Sequence, residues 1–132
     1  MPDLYIISGS NGAGKSTIGH HYIPSHILSE STIFDGDKLY MKKHTELWKS
    51  GMRVNKEIKE IANSHVGQTF HQLVEDAIKN NKHFAYEGHF TEADSWNVPR
   101  LFKSKAYTIN LIFFGLTDTK ESELRVYYLI LY

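Results

Sequence analysis

The most specific chemistry in the sequence lies in Gly9-Ser10-Asn11-Gly12-Ala13-Gly14-Lys15-Ser16, followed by Thr17. Its spacing, G-x-x-x-x-G-K-[ST], is that of a phosphate-binding loop. Glycines let the backbone take positive φ angles and bring successive N–H groups close to a polyphosphate, and a helix starting near Lys15 adds the positive end of its dipole. The segment from Gly9 to Thr17 is therefore expected to cradle ATP. Lys15 should reach the β- and γ-phosphates, and the Ser16 hydroxyl should ligate Mg²⁺. The flanks fit this reading, with the apolar run Leu4 to Ile7 before the loop and a helical segment, Lys15 to Ile23, after it.

Phosphoryl transfer also needs an acid to hold the magnesium shell and a carboxylate to orient or deprotonate the attacking hydroxyl. Asp35, Asp37 and Glu87 each close a short apolar run, and ligand crevices of open parallel sheets lie at the carboxyl ends of strands. Asp37 also suits the N-cap of the next helix, and Glu87 suits a turn carboxylate beside Gly88. Asp35 reads as the structural neighbour of a catalytic aspartate. Glu87 is additionally a candidate for the metal shell, with Ser16. The eight histidines show no H-E-x-x-H spacing, so packed or solvated roles are favoured. His89 stands apart because it follows Glu87-Gly88 into the expected crevice.

The elements that must hold these residues alternate along the chain. Strands are expected at Leu4–Ile7, Thr32–Phe34, His83–Tyr86, Tyr107–Phe114 and Val126–Tyr132. Helices are expected at Lys15–Ile23, where Pro24 stops the run, and at Lys38–Trp48, Val54–Asn81, Thr91–Lys105 and Asp118–Arg125. The longest carries Ile58, Ile61, Ala62, Val66, Phe70, Leu73, Ala77 and Ile78 on one face, and Asn80-Asn81 suits its end. The pattern predicts an α/β, kinase-like P-loop NTPase sandwich of three layers, with a mostly parallel five-stranded sheet.

At 132 residues, with no linker or repeat, the chain reads as a single nucleotide-binding domain over 1–132. Apolar residues make up 41% and charged residues 23%, ordinary for a soluble globular protein. Fifteen basic residues balance fifteen acidic ones, so no broad positive field would attract nucleic acid or an anionic membrane. The absence of cysteine excludes disulfides and thiolate chemistry, and nothing near Met1 resembles a leader, so a cytoplasmic location is expected.

Four segments together resemble the zeta-toxin-type P-loop kinases: Ile7 to Thr17, Phe34 to Asp37 (Phe-Asp-Gly-Asp), Phe84 to His89 (Phe-Ala-Tyr-Glu-Gly-His), and Ala106 to Leu116. Their order and spacing match across nearly the whole chain. The group includes bacterial proteins labelled predicted ABC-type ATPases, and its best-known members phosphorylate the sugar of UDP-N-acetylglucosamine. The resemblance implies that Asp37 is the base on the acceptor hydroxyl and that Glu87 contacts the substrate side. It also makes an antitoxin protein a candidate partner. The chain departs from toxin members at His89 and Thr91, where they carry threonine and arginine. Of the lid arginines that follow the last matching strand in the family, this sequence supplies Arg125.

The sequence supports an ATP-dependent kinase acting on a small-molecule hydroxyl, with ATP and Mg²⁺ as the donor pair. An ATPase subunit of a transporter would share the loop wording but needs an L-S-G-G-Q-like signature that does not occur here. The remaining alternative is an ATPase or truncated nucleotide-binding remnant that keeps the loop without transferase activity.

Overall fold

The computed structural model describes residues 1–9, 19–88, 93–116 and 124–131. The chain divides into a sheet unit, Met1–Phe34 with Ala77–Tyr132, and a helical unit, Asp35–Asp76.

In the sheet unit, β1 (Asp3–Gly9) lies between β2 (Phe84–Glu87) and β3 (Thr108–Leu116), parallel to both. A fourth strand, β4 (Leu124–Leu131), pairs antiparallel with the outer side of β3, giving the order β2-β1-β3-β4. A central strand covered on both faces must be apolar on both, which is why Leu4, Ile6 and Ile7 run together and are all fully buried. The expected five strands become four among the described residues. Thr32–Phe34 yields only a bridge, Phe34 to Tyr86, because Asp35 already caps a helix that begins at the next residue. The terminal apolar run is a strand as expected, but it returns antiparallel. Leu124 and Arg125 belong to it rather than to a helix, and the rest of the helix expected at Asp118–Arg125 lies outside the described residues.

One sheet face packs Ile7, Ala85 and Ile112 against Ile23 and Ile27. Ile27 lies in α1 (Ser25–Glu30), which follows Pro24 and contacts β2; no apolar period in six residues could announce it. The helix expected over Lys15–Ile23 is described only from Gly19, where Gly19–Tyr22 forms a 3₁₀ turn. The opposite face carries Phe84 and Tyr86. Phe84 meets Phe102 edge to face, and Phe102 meets Tyr107 at 4.7 Å between centroids. Phe102 belongs to α4 (Asn97–Ser104), preceded by a 3₁₀ turn at Ala93–Trp96. Pro99 is tolerated there because it occupies the first turn, where an N–H has no intrahelical partner anyway.

The helical unit holds α2 (Gly36–Lys49) and most of α3 (Asn55–Lys79). Ile58, Ala62 and Val74 are buried on α3, whereas Ile61 and Leu73, expected on the same face, are exposed. At 3.6 residues per turn Ile61 falls beside the arc that runs from Ile58 through Ala62 to Val74, whereas Leu73 falls within that arc and is exposed all the same. In the connection between the helices, the Arg53 guanidinium stacks 4.0 Å from the centroid of Trp48. At its far end, α3 closes as expected: Asn81 takes φ 54°, Lys82 N–H donates to Ala77 O at 2.9 Å, and Asn81 N–H donates to Ile78 O at 3.2 Å.

Candidate nucleotide site

Three strand ends converge on the place where the glycine-rich loop begins. β1 ends at Gly9, whose φ of 147° is open only to glycine, so the chain leaves the sheet there at no steric cost. Ser10 to Thr17, including Lys15 and Ser16, lie outside the described residues, as do His89 and Thr91. On one side, β2 ends at Glu87, in register with Ile7 of β1. Gly88 then passes close over the sheet, its N–H donating to Ile7 O at 2.9 Å. A Cβ at Gly88 would meet Tyr86 Cε2 at 3.0 Å and Ile6 Cγ2 at 3.5 Å, which explains the glycine after the carboxylate. Burial pushes the Tyr86 phenol well above its ordinary range, so it remains a neutral wall beneath this turn.

On the other side, β3 runs past Gly9, which registers with Phe114, and Arg125 of β4 stands opposite Gly115. The antiparallel turn of β4 therefore brings the Arg125 backbone to the same end of the sheet as Gly9 and Glu87. A parallel fifth strand would have carried the start of the run to the other end. The half-buried Glu87 is tied in by its backbone, with its N–H donating to Phe34 O at 2.8 Å, while Phe34 N–H donates to Ala85 O at 2.9 Å. Phe34 is thus clamped onto β2 immediately before the Asp35-Gly36-Asp37 segment leaves for the helical unit.

Within that unit the two aspartates separate cleanly in role. Asp35 is the N-cap of α2, accepting Lys38 N–H at 3.1 Å through Oδ1. Asp37 lies in the first turn of α2 and is exposed. The cap that sequence alone could assign to Asp37 is therefore supplied by its neighbour. Gly9, Glu87 and Arg125 belong to the sheet unit and Asp37 to the helical unit.

A family model described as zeta toxin matches residues 1–128. The chain belongs to the zeta toxin family. A search of curated proteins gives no match. Among solved structures, the chain is similar to one from work on the PezAT chromosomal toxin-antitoxin system of the human pathogen Streptococcus pneumoniae, with a TM-score of 0.65 and 23% identity. That match covers 86% of this chain and 46% of the other, so the present chain spans less than half the length of this relative. At this identity the likeness shows the fold, an α/β fold with a mostly parallel sheet. Among the described residues no helix is long and apolar enough to cross a membrane.

Proposed function

We propose that this zeta toxin family chain binds ATP with Mg²⁺ through Gly9 to Thr17 and serves a kinase that phosphorylates a hydroxyl of a small molecule, a sugar nucleotide such as UDP-N-acetylglucosamine. The observation that carries the reading is the order of the sheet. A glycine-lysine loop leaves the central parallel strand at Gly9, a carboxylate ends the neighbouring strand at Glu87, and an arginine stands at the same end of the sheet, opposite Gly115. Ligands of open parallel sheets bind at this end.

Lys15 neutralises charge on the β- and γ-phosphates, and the backbone N–H groups of the loop hold the polyphosphate. The Ser16 hydroxyl and the Glu87 carboxylate are hard oxygen donors that suit Mg²⁺. Bound there, the ion would offset charge on the transferring phosphoryl oxygens. Asp37 accepts the proton of the acceptor hydroxyl, and Arg125 adds positive charge as the phosphoryl moves. The toxin-antitoxin system named for the structural relative supports an antitoxin as protein partner, and the balanced charge of the chain gives nucleic acid no broad surface.

A single-turnover assay with terminally labelled ATP and UDP-N-acetylglucosamine tests the proposal. Label appearing in the sugar nucleotide supports it. Label released only as inorganic phosphate would leave an ATPase, and nucleotide binding without turnover would leave a binding remnant.

A further inference from the structure

At the opposite end of the sheet from Gly9, three groups gather that the phosphoryl chemistry does not use. Asp3 opens β1, His83 immediately precedes β2 and His26 stands in α1. One ligating atom from each lies within 4.8 Å of the other two. Asp3 and His83 are half-buried and His26 is exposed, so the group is anchored in the fold on one side and open to solvent on the other. The rings of His26 and His83 meet edge to face with centroids 5.6 Å apart. Glu30, in the last turn of α1, adds a carboxylate whose Oε2 lies 3.9 Å from His83 Nε2 and accepts the His83 backbone N–H at 3.2 Å.

The hydrogen bonds fix the His83 tautomer. Its Nδ1 accepts the Asp3 backbone N–H at 2.9 Å, so the neutral ring carries its proton on Nε2, on the side of Glu30. The Nδ1 lone pair faces Asp3, whose Oδ2 is 3.7 Å away. Two ligands about 2.0–2.1 Å from one tetrahedral zinc ion stand roughly 3.4 Å apart, so these atoms are already near a chelating separation. Glu30 holds His83 through its backbone N–H and lies 3.9 Å from Nε2, so a carboxylate stands on the side of the ring away from Asp3, where metal-bound histidines usually find their outer support.

We propose that Asp3, His26 and His83 form a site for a divalent transition cation of the Zn²⁺ class, with Glu30 anchoring the His83 backbone beside it. Two imidazoles and one carboxylate select such a cation over Mg²⁺ or Ca²⁺, which prefer oxygen ligands alone. The cation takes over the lone pair that the Asp3 amide uses, so that amide must turn to water, which argues for micromolar rather than nanomolar affinity. Occupied, the site ties α1 to the starts of β1 and β2. The proposal does not depend on the nucleotide reading.

Isothermal titration of the chelator-stripped full chain with Zn²⁺, without nucleotide, tests it. The expected result is one ion per chain, with His26→Ala and Asp3→Asn each weakening binding by roughly tenfold or more. The exposed His26 can be removed without opening the core, so equal metal-free melting of His26→Ala and the parent shows that the fold is kept. His71→Ala serves as the control. His71 pairs with Glu75 at 2.9 Å on the surface of α3 and should leave zinc binding unchanged. No binding at submillimolar Zn²⁺, or parental affinity in both His26→Ala and Asp3→Asn, would overturn the proposal.

Discussion

Asp35 and Asp37 are chemically identical and only two residues apart, yet they are held differently. Asp35 spends its carboxylate on the Lys38 amide, which ties it to helix α2, while Asp37 is exposed on the first turn. Asparagine caps helices as well as aspartate does, so Asp35→Asn should leave stability and turnover close to the parent's. Asp37→Asn should keep ATP affinity and lower acceptor phosphorylation by about two to four orders of magnitude, the usual range for losing a positioned base. Comparing kcat and nucleotide affinity for both variants separates the roles, and turnover by Asp37→Asn equal to the parent's would remove that residue from the mechanism.

Helix α4 ends on an unusual residue for its conformation. Ala106 takes φ 66°, Ala106 N–H donates to Lys103 O at 3.0 Å, and Tyr107 N–H donates to Phe102 O at 3.1 Å. The aromatic contact between Phe102 and Tyr107 is the apolar clasp that accompanies such a cap. A Cβ in the left-handed region costs about 1–2 kcal/mol, part of which glycine gives back as freedom in the unfolded chain. Ala106→Gly should therefore stabilise the protein by about 0.5–1 kcal/mol, read as a higher urea midpoint with an unchanged slope; a lower midpoint would show that the strain is absent. This cap was illegible in the sequence because nothing about Lys-Ala-Tyr announces a positive φ, whereas Asn81 at the end of α3 was legible because asparagine tolerates that region. Strand β1 and the start of the loop were readable for a similar reason, since an apolar run followed by spaced glycines has few other uses. The direction of β4 was not readable. Its apolar pattern is the same parallel or antiparallel, and the direction follows from the chain that leads into it.

Across the whole molecule, sites assembled from distant segments escape sequence reading most completely. Asp3, His26 and His83 show no local spacing and meet only because parallel strands start side by side. The place of Glu87 at the end of a strand was legible, since the apolar run and the following glycine are adjacent in sequence. Buried phenols give the folded chain a distinctive alkaline response. Tyr86 and Tyr107 ordinarily titrate at 10.0, and burial raises both in the folded state, with the Glu30 carboxylate adding a smaller push on Tyr107. The folded protein thus keeps protons that the unfolded chain releases above its own phenol values. Stability should be insensitive to these groups below about pH 10 and should fall above it, chiefly through Tyr86, which can contribute up to about 1.4 kcal/mol per pH unit. Urea midpoints on either side of that pH check this, and Tyr86→Phe should lessen the loss.

The proposed phosphoryl transfer requires nucleotide binding by the loop that leaves β1, and thermal unfolding with and without Mg²⁺-ATP tests that binding most directly. At a nucleotide concentration about a hundred times Kd, the parent should gain about 2.7 kcal/mol, because the ligand binds only the folded state. Lys15→Ala leaves the polyphosphate to backbone dipoles alone and should lose that gain while melting like the parent without nucleotide. An equal nucleotide-dependent gain in Lys15→Ala, or no gain in the parent, would contradict the assignment of Gly9 to Thr17 as the phosphate site.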